Sequence, residues 1–255
     1  MSDQSFRSRL LAGEQLVGTW VKTPSSIICE VLAETNMDTV CLDAEHAPFD
    51  RLALDGCIHA LRAGRMPSLV RTPGKAPEYI LNALDCGATG VVIPHVCSAE
   101  EAKSLARSCR FGAGGRGYAG STRAAGYTTK PMSENLKASR EETCVIAQIE
   151  DLEALDEIDA IAAVESIDCL FVGRIDLTVA MGVDSPKDEK VMDAVTKICE
   201  AGRKAGRRVG MFVSDMAEIP KWQDLGANLF LLTSDHGFLL SGANAMVGQF
   251  SGYKR

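Results

Sequence analysis

Eight apolar, β-branched runs, each followed by a helical pattern, predict a single (β/α)8 barrel spanning residues 1–255. Three observations carry this. The alternation is regular, which requires a parallel sheet with helical crossovers. Eight units in about 240 residues is the count of that barrel. No linker, low-complexity segment or composition shift marks a second domain. A doubly wound open sheet is the alternative, but it rarely runs to eight regular units without one.

The units follow in order along the chain. "LVGTWVK" (16–22) precedes the helix-like "SSIICEVLAET", and "TVCLDAE" precedes "DRLALDGCIHALRAG". "PSLVRT" leads to "APEYILNALDCGA", and "GVVIPHV" to "SAEEAKSLARSCRF", where Ser98 and Glu101 have capping-box spacing. The Gly-rich stretch 112–132 is too long for an ordinary connection and reads as a functional or interface loop. Beyond it, "CVIAQIE" precedes "DLEALDEIDAIAAV", and "CLFVGRID" precedes a helix within 188–205. "RVGMFVS" then leads to "DMAEIPKWQDLGA", and "LFLLTSD" to "HGFLLSGANAMVGQF".

A hydrophobic content of 46% supports a large core, and the net charge of −7 argues against nucleic acid or an anionic membrane as partner. A locally basic site for a small anion stays compatible with that charge. The nine cysteines lie mostly in apolar runs and form no C-x-x-C pair. Zinc-ribbon and thioredoxin-type readings therefore fail, and small buried thiols in a reducing compartment are expected. The first residues show no apolar signal region, and no run reaches the roughly 18 apolar residues of a membrane span. A soluble cytoplasmic protein is the expectation.

In such a barrel the chemistry lies at the C-terminal ends of the strands. Trp20 and Lys22 end the first strand, and Asp43, Glu45 and His46 the second. Arg71 ends the third, His95 the fourth, Gln148 and Glu150 the fifth, and Arg174 and Asp176 the sixth. Glu150 and Asp176 end adjacent strands, so their carboxylates can converge. They read either as a metal pair suited to Mg2+ or Mn2+ or as helix caps. Arg71 is a planar fork for a carboxylate or keto acid, or else an exposed loop arginine. His46 is a candidate general base whose ring Asp43 could orient. His59 lies in the second helix and reads as a surface or packing residue. No G-x-S-x-G element supports a serine hydrolase, and "GAGGRG" lacks the Lys-Ser/Thr of a phosphate loop.

"GTW", "LDAEHAP", "VR", "GATGVVIPHV", "QIE" and "FVGRIDLT", in that order over nearly the whole chain, resemble the HpcH/HpaI aldolases. The resemblance implies a class II pyruvate aldolase that uses a divalent metal, Mg2+, Mn2+ or Co2+, and takes a small keto acid and an aldehyde. It implies Glu150 and Asp176 as metal ligands and His46 as base, paired with Asp43. Arg71 would hold the pyruvyl group and stabilise the enolate. Gln148 and Trp20 would line the pocket, with Gly173 and the Ile175–Asp176 backbone beside the pyruvate carboxylate. Glu45 would stand behind the ligands. A homo-oligomer is also implied, a hexamer of two trimers in which the last helix packs on a neighbour.

Three positions depart from the family pattern. Arg174 replaces a proline in "GRIDL", His95 stands where an apolar residue is expected, and Lys22 follows "GTWV". Two cations and a histidine at one mouth would favour a negatively charged aldehyde, unless Lys22 and Arg174 swing into solvent or pair with Glu or Asp of a neighbouring subunit. Three other functions stay open on the sequence. They are oxaloacetate decarboxylation through the same enolate, a Schiff-base aldolase with Lys22 as nucleophile, and a non-catalytic sugar-acid binder.

Overall fold

The computed structural model describes residues 4–251. Its eight strands are β1 (Leu16–Val21), β2 (Thr39–Asp43), β3 (Ser68–Arg71), β4 (Gly90–Ile93), β5 (Cys144–Ile149), β6 (Cys169–Val172), β7 (Arg208–Val213) and β8 (Ala227–Ser234). All pair in parallel in chain order, and β8 returns to β1 to close the barrel. The eight expected runs are the eight strands. Nearly every strand residue is buried, because a parallel sheet covered by helices has two dry faces.

The helices are α1 (Phe6–Ala12), α2 (Ser26–Ala33), α3 (Arg51–Ala63), α4 (Pro77–Asp85), α5 (Ala99–Ser108) and α6 (Met132–Glu142), followed by α7 (Leu152–Asp156), α8 (Ile158–Ala162), α9 (Arg174–Ala180), α10 (Glu189–Ala205), α11 (Ile219–Asp224) and α12 (Asp235–Ser251). Three of them have no counterpart in the sequence reading. α1 and α9 are seven residues long, too short to show a helical period, and α6 buries only Asn135 and Ser139. The helix expected over 151–164 breaks at Glu157 into α7 and α8. At α5 the Ser98 hydroxyl accepts from the Glu101 amide as expected. Glu101 reaches back to the Cys97 amide, one residue earlier than in a standard capping box.

α1 closes the N-terminal end of the barrel. Phe6 and Leu10 join the interior cluster with Leu16, Leu69, Ile146 and Leu229. Asn228 Nδ2 donates to the carbonyls of Leu10 and Glu14, and Arg7 places a two-pronged fork on buried Asp168 at 2.9 and 2.8 Å. The opposite mouth stays open.

The 112–132 segment packs away from this mouth, near the starts of β4 and β5. Arg116 lies over the Phe111 ring and pairs with Asp85 of α4, while Arg123 bonds Asp55 and His59 of α3. No residue of this segment lines the mouth cavity, so its arginines hold it to the outer helices. The nine cysteines are unpaired, and all but half-buried Cys97 are buried. Among the described residues, no helix is long and apolar enough to cross a membrane.

Candidate active site

A cavity of about 280 Å³ opens at the C-terminal mouth. Trp20 and Lys22 line it from β1, His46 from the turn after β2, and Arg71 and Gln148 from β3 and β5. Gly173, Ile175 and Asp176 line it from the start of α9. Residues from five separate stretches of chain thus meet where the strand-end reading put them.

The β2–β3 register sets Asp43 directly opposite Arg71. Arg71 donates from Nε to Asp43 Oδ1 at 2.9 Å and from Nη2 to Oδ2 at 2.8 Å, the bidentate geometry a guanidinium favours. Lys22 Nζ donates to the same Oδ2. Burial alone would raise the Asp43 pKa, but the hydrogen bonds and charges of Arg71 and Lys22 outweigh it and hold it at about 2. The Arg71 guanidinium lies 4.4 Å from the Trp20 ring centre, and Trp20 meets Phe171 edge-on at 5.7 Å. Arg71 is therefore fixed in plane and position. It is a built part of the cavity wall and no loose loop arginine.

The expected ring pairing of His46 with Asp43 is not what forms. Asp43 Oδ1 accepts from the His46 backbone amide at 3.2 Å, while the ring Nε2 stands 3.6 Å from Glu45 Oε2. The carboxylate of Asp43 is already committed to two cations, so it stabilises the turn and leaves the ring to Glu45. Glu45 has a larger place than the sequence suggested. Its Oε2 also lies 3.3 Å from Arg71 Nε, yet it is buried and accepts no hydrogen bond.

Glu150 is buried at the end of β5 and accepts from Gln148 Nε2 and from the His95 amide, the latter at 3.0 Å. It caps no helix. Burial raises its pKa; the Gln148 and His95 bonds and the His95 charge oppose this, Asp176 adds to it, and the net shift is upward. Asp176 is half-buried in the first turn of α9. No side chain caps that helix, whose N-cap is Gly173. The helix-cap explanation of both acids falls away.

Gly173 has a steric role. A Cβ at this position would lie 2.5 Å from Glu150 Cβ and 2.6 Å from its Oε2. The absent side chain is what lets the Glu150 carboxylate stand at the mouth.

Among the described residues, Glu45, His95 and Glu150 can bring ligand atoms within 4.8 Å of one another. Asp176 lies outside that set, which joins Glu150 to residues following β2 and β4. Sequence reasoning noted Glu45 and His95 but gave neither a ligand role. The available signal was position, since each follows the end of a strand whose neighbours carry the other donors. The residues suit a divalent cation. They offer two carboxylates and an imidazole, with Glu45 Oε1 3.4 Å from His95 Nε2.

Two of the three departures are compensated within the chain. Lys22 pairs with Asp43, and Arg174 Nη2 donates to Glu218 at 2.8 Å with its guanidinium 5.4 Å from the Trp222 ring centre. The expected pair of uncompensated cations for an anionic aldehyde does not form.

Residues 16–241 match the model of the HpcH/HpaI aldolase/citrate lyase family. The chain belongs to this family. It is 32% identical over 243 residues to the hydroxypyruvate/pyruvate aldolase of Paraburkholderia phytofirmans, covering 92% of this chain and 93% of that protein. It is 28% identical over 249 residues to the 4-hydroxy-2-oxo-heptane-1,7-dioate aldolase of Shigella flexneri, covering 97% and 93%. The crystal structure of a family protein from Burkholderia cenocepacia J2315 superposes with a TM-score of 0.90 at 31% identity, covering 96% of this chain and 98% of that one. With membership goes metal-dependent lyase and aldolase chemistry on a keto acid, for which the three-residue cluster provides a fitting metal site.

The buried ion network predicts a stability effect. Asp43→Asn leaves Arg71 with only the longer Glu45 contact, so urea unfolding at pH 7 should show a loss of about 3 kcal/mol, the low end for a broken buried pair. The Asp43 pKa is depressed, so its contribution is complete above the ordinary value of 3.8 and is lost as pH falls toward about 2. The gap between wild type and variant should therefore stay constant from neutral pH to about 4 and close below it.

Gly173→Ala should push Glu150 aside without unfolding the barrel, since the φ of −85° suits alanine. Calorimetric titration should show divalent-metal affinity weakened about tenfold or more, with the circular dichroism spectrum unchanged.

Proposed function

We propose that this family member is a divalent-metal-dependent aldolase that cleaves a 2-oxo-4-hydroxy acid to pyruvate and an aldehyde, or joins the two. The observation that carries this is a fixed guanidinium and a half-exposed histidine lining one small cavity, joined through Glu45, 3.3 Å from Arg71 and 3.6 Å from His46, to an acid–imidazole cluster that suits a metal. The similarity to the Paraburkholderia and Shigella aldolases supports the same reading. At about 280 Å³ the cavity is near the small end of ligand sites and suits a short keto acid.

Glu150 and Asp176 are assigned as ligands by the family resemblance, and Glu45 and His95 stand beside Glu150. A divalent metal held there supplies Lewis acidity toward the keto group of the substrate.

The remaining work falls to the chain's own groups. Arg71 Nε and Nη2 are engaged by Asp43, and Nη1 makes no hydrogen bond within the described chain. We assign Nη1 to the pyruvyl oxygens, where a preorganised cation stabilises the enolate charge as it develops. Gln148 and Trp20 shape the same wall, and the Ile175 and Asp176 amides, at the start of α9, face the substrate carboxylate. His46 takes the proton of the 4-hydroxyl group. That oxygen then forms the aldehyde carbonyl, the C3–C4 bond breaks, and its electrons pass into the enolate. The proton on His46 returns to C3 to give pyruvate. Glu45 Oε2 stands 3.6 Å from the ring Nε2 and positions it. Lys22 is ion-paired to Asp43, an arrangement for a fixed cation and not for a Schiff-base nucleophile.

Arg71 and the metal cluster would equally serve oxaloacetate decarboxylation, which needs no hydroxyl proton removed. His46→Ala should slow aldol cleavage by about 10²–10⁴-fold and leave oxaloacetate decay much less affected. Arg71→Ala should impair both. Pyruvate release from a panel of hydroxy-keto acids, measured beside oxaloacetate loss, reads this directly. Equal losses in both reactions for His46→Ala would remove it from the base role.

We also propose a homo-oligomer, a hexamer of two trimers, with α12 at its interface. Leu239, Met246, Val247 and Phe250 of this helix are each more than 60% exposed, an apolar surface a solitary barrel would not keep. Val247→Glu with Phe250→Glu should lower the mass measured by light scattering while retaining the barrel's circular dichroism.

A further inference from the structure

We propose that His95 is a nitrogen ligand of the metal site and shifts its preference from Mg2+ toward Co2+, Zn2+ or Ni2+. This deepens the metal-dependent reading above and rests on it.

Three features of His95 point the same way. Its Nε2 stands 3.4 Å from Glu45 Oε1, a separation that two donors sharing one cation at about 2.1 Å adopt. Its Nδ1 stands 3.0 Å from Asp151 Oδ2, the nearer partner, and 3.6 Å from Glu150 Oε1. A proton held on Nδ1 by Asp151 leaves the Nε2 lone pair facing Glu45, the carboxylate–histidine–metal arrangement that orients ligating imidazoles. The backbone amide of His95 donates to Glu150 Oε1, so the turn that presents the ring also positions the acid beside it.

That turn is unusual in itself. His95 has φ 56°, a left-handed conformation that an ordinary residue adopts only at some cost. It reverses the chain after β4 and places the ring between the ends of β2 and β5. The Glu45 side chain is 10% exposed, and its Oε2 accepts no hydrogen bond, having only Arg71 Nε at 3.3 Å and His46 Nε2 at 3.6 Å. The oxygen turned toward His95 is the other one, Oε1, so a cation between Glu45, Glu150 and His95 would take Oε1 while Oε2 stays against Arg71 and His46.

The metal preference follows from ligand chemistry. Carboxylates alone suit Mg2+ or Mn2+, which favour oxygen. One imidazole added to them favours the later transition metals. The competing account is a protonated His95 acting as a permanent counter-ion to Glu45, Glu150 and Asp151, in which case it repels a metal.

The test uses the full-length protein stripped by chelator and titrated separately with Mg2+ and Co2+. His95→Asn and His95→Gly both tolerate the left-handed backbone, so at least one should fold and remove the ring. Either should bind Co2+ about ten- to a hundredfold more weakly, with Mg2+ affinity changed by less than about threefold. Cu2+ bound to wild type should show nitrogen hyperfine coupling by electron paramagnetic resonance that disappears in these variants and persists in His46→Gln. Equal changes for both metals, tighter Co2+ binding, or coupling that survives loss of His95 would overturn the inference and leave the proposed aldolase standing. A wild type that binds no divalent metal would overturn both.

Discussion

An ionised carboxylate with no solvent exposure ends β2, and the rest of the mouth is arranged around its neutralisation. Burying Asp43 without partners would cost several kcal/mol. Arg71 meets it across the β2–β3 register, Lys22 meets it from β1, and the His46 amide closes the turn beyond. Each partner is then constrained in its own right. Arg71 is held flat against Trp20, Trp20 against Phe171 of β6, and the turn carrying Glu45 and His46 cannot drift. One neutralised charge thus orders elements from β1, β2, β3 and β6 before any substrate arrives. Preorganisation of this kind is what a site stabilising a developing enolate requires.

The barrel was legible because its strands are dry on both faces and read as unbroken apolar runs between helical patterns. The helices missed were those whose stability comes from elsewhere. α1 is held by Asp168, Asn228 and the barrel floor, and α9 begins from a glycine with no capping side chain. The site was legible to the level of which residues share the mouth, since strand ends dictate that. Pairings within it were not. That Asp43 would bind the His46 amide and leave its ring to Glu45 depends on which of its lone pairs the arginine occupies. Arg174 was noticed as a departure, but its partner Glu218 lies in a short turn before α11 that no pattern ties to β6.

Two glycine-like positions show how backbone shape and chemistry are joined here. At Gly173 the missing Cβ makes room for the Glu150 carboxylate. At His95 the chain takes a left-handed turn that glycine would enter freely, yet a ring-bearing residue occupies it, touching Glu45, Glu150 and Asp151. Conformational strain retained where a smaller residue would relieve it indicates that the side chain matters at that point.

Charge at the mouth is balanced locally, and this bears on which aldehydes fit. Lys22 is matched by Asp43 and Arg174 by Glu218. A negatively charged acceptor therefore meets no uncompensated cation from the residues that depart from the family pattern. Drawing Arg174 toward such an acceptor would separate it from Glu218 at 2.8 Å and from Trp222, exchanging one partly buried ion pair for another. The gain from that exchange is small, so under the proposed aldolase reading the wall formed by Trp20, Ile175 and Phe212 would discriminate among aldehydes by its shape more than by its charge.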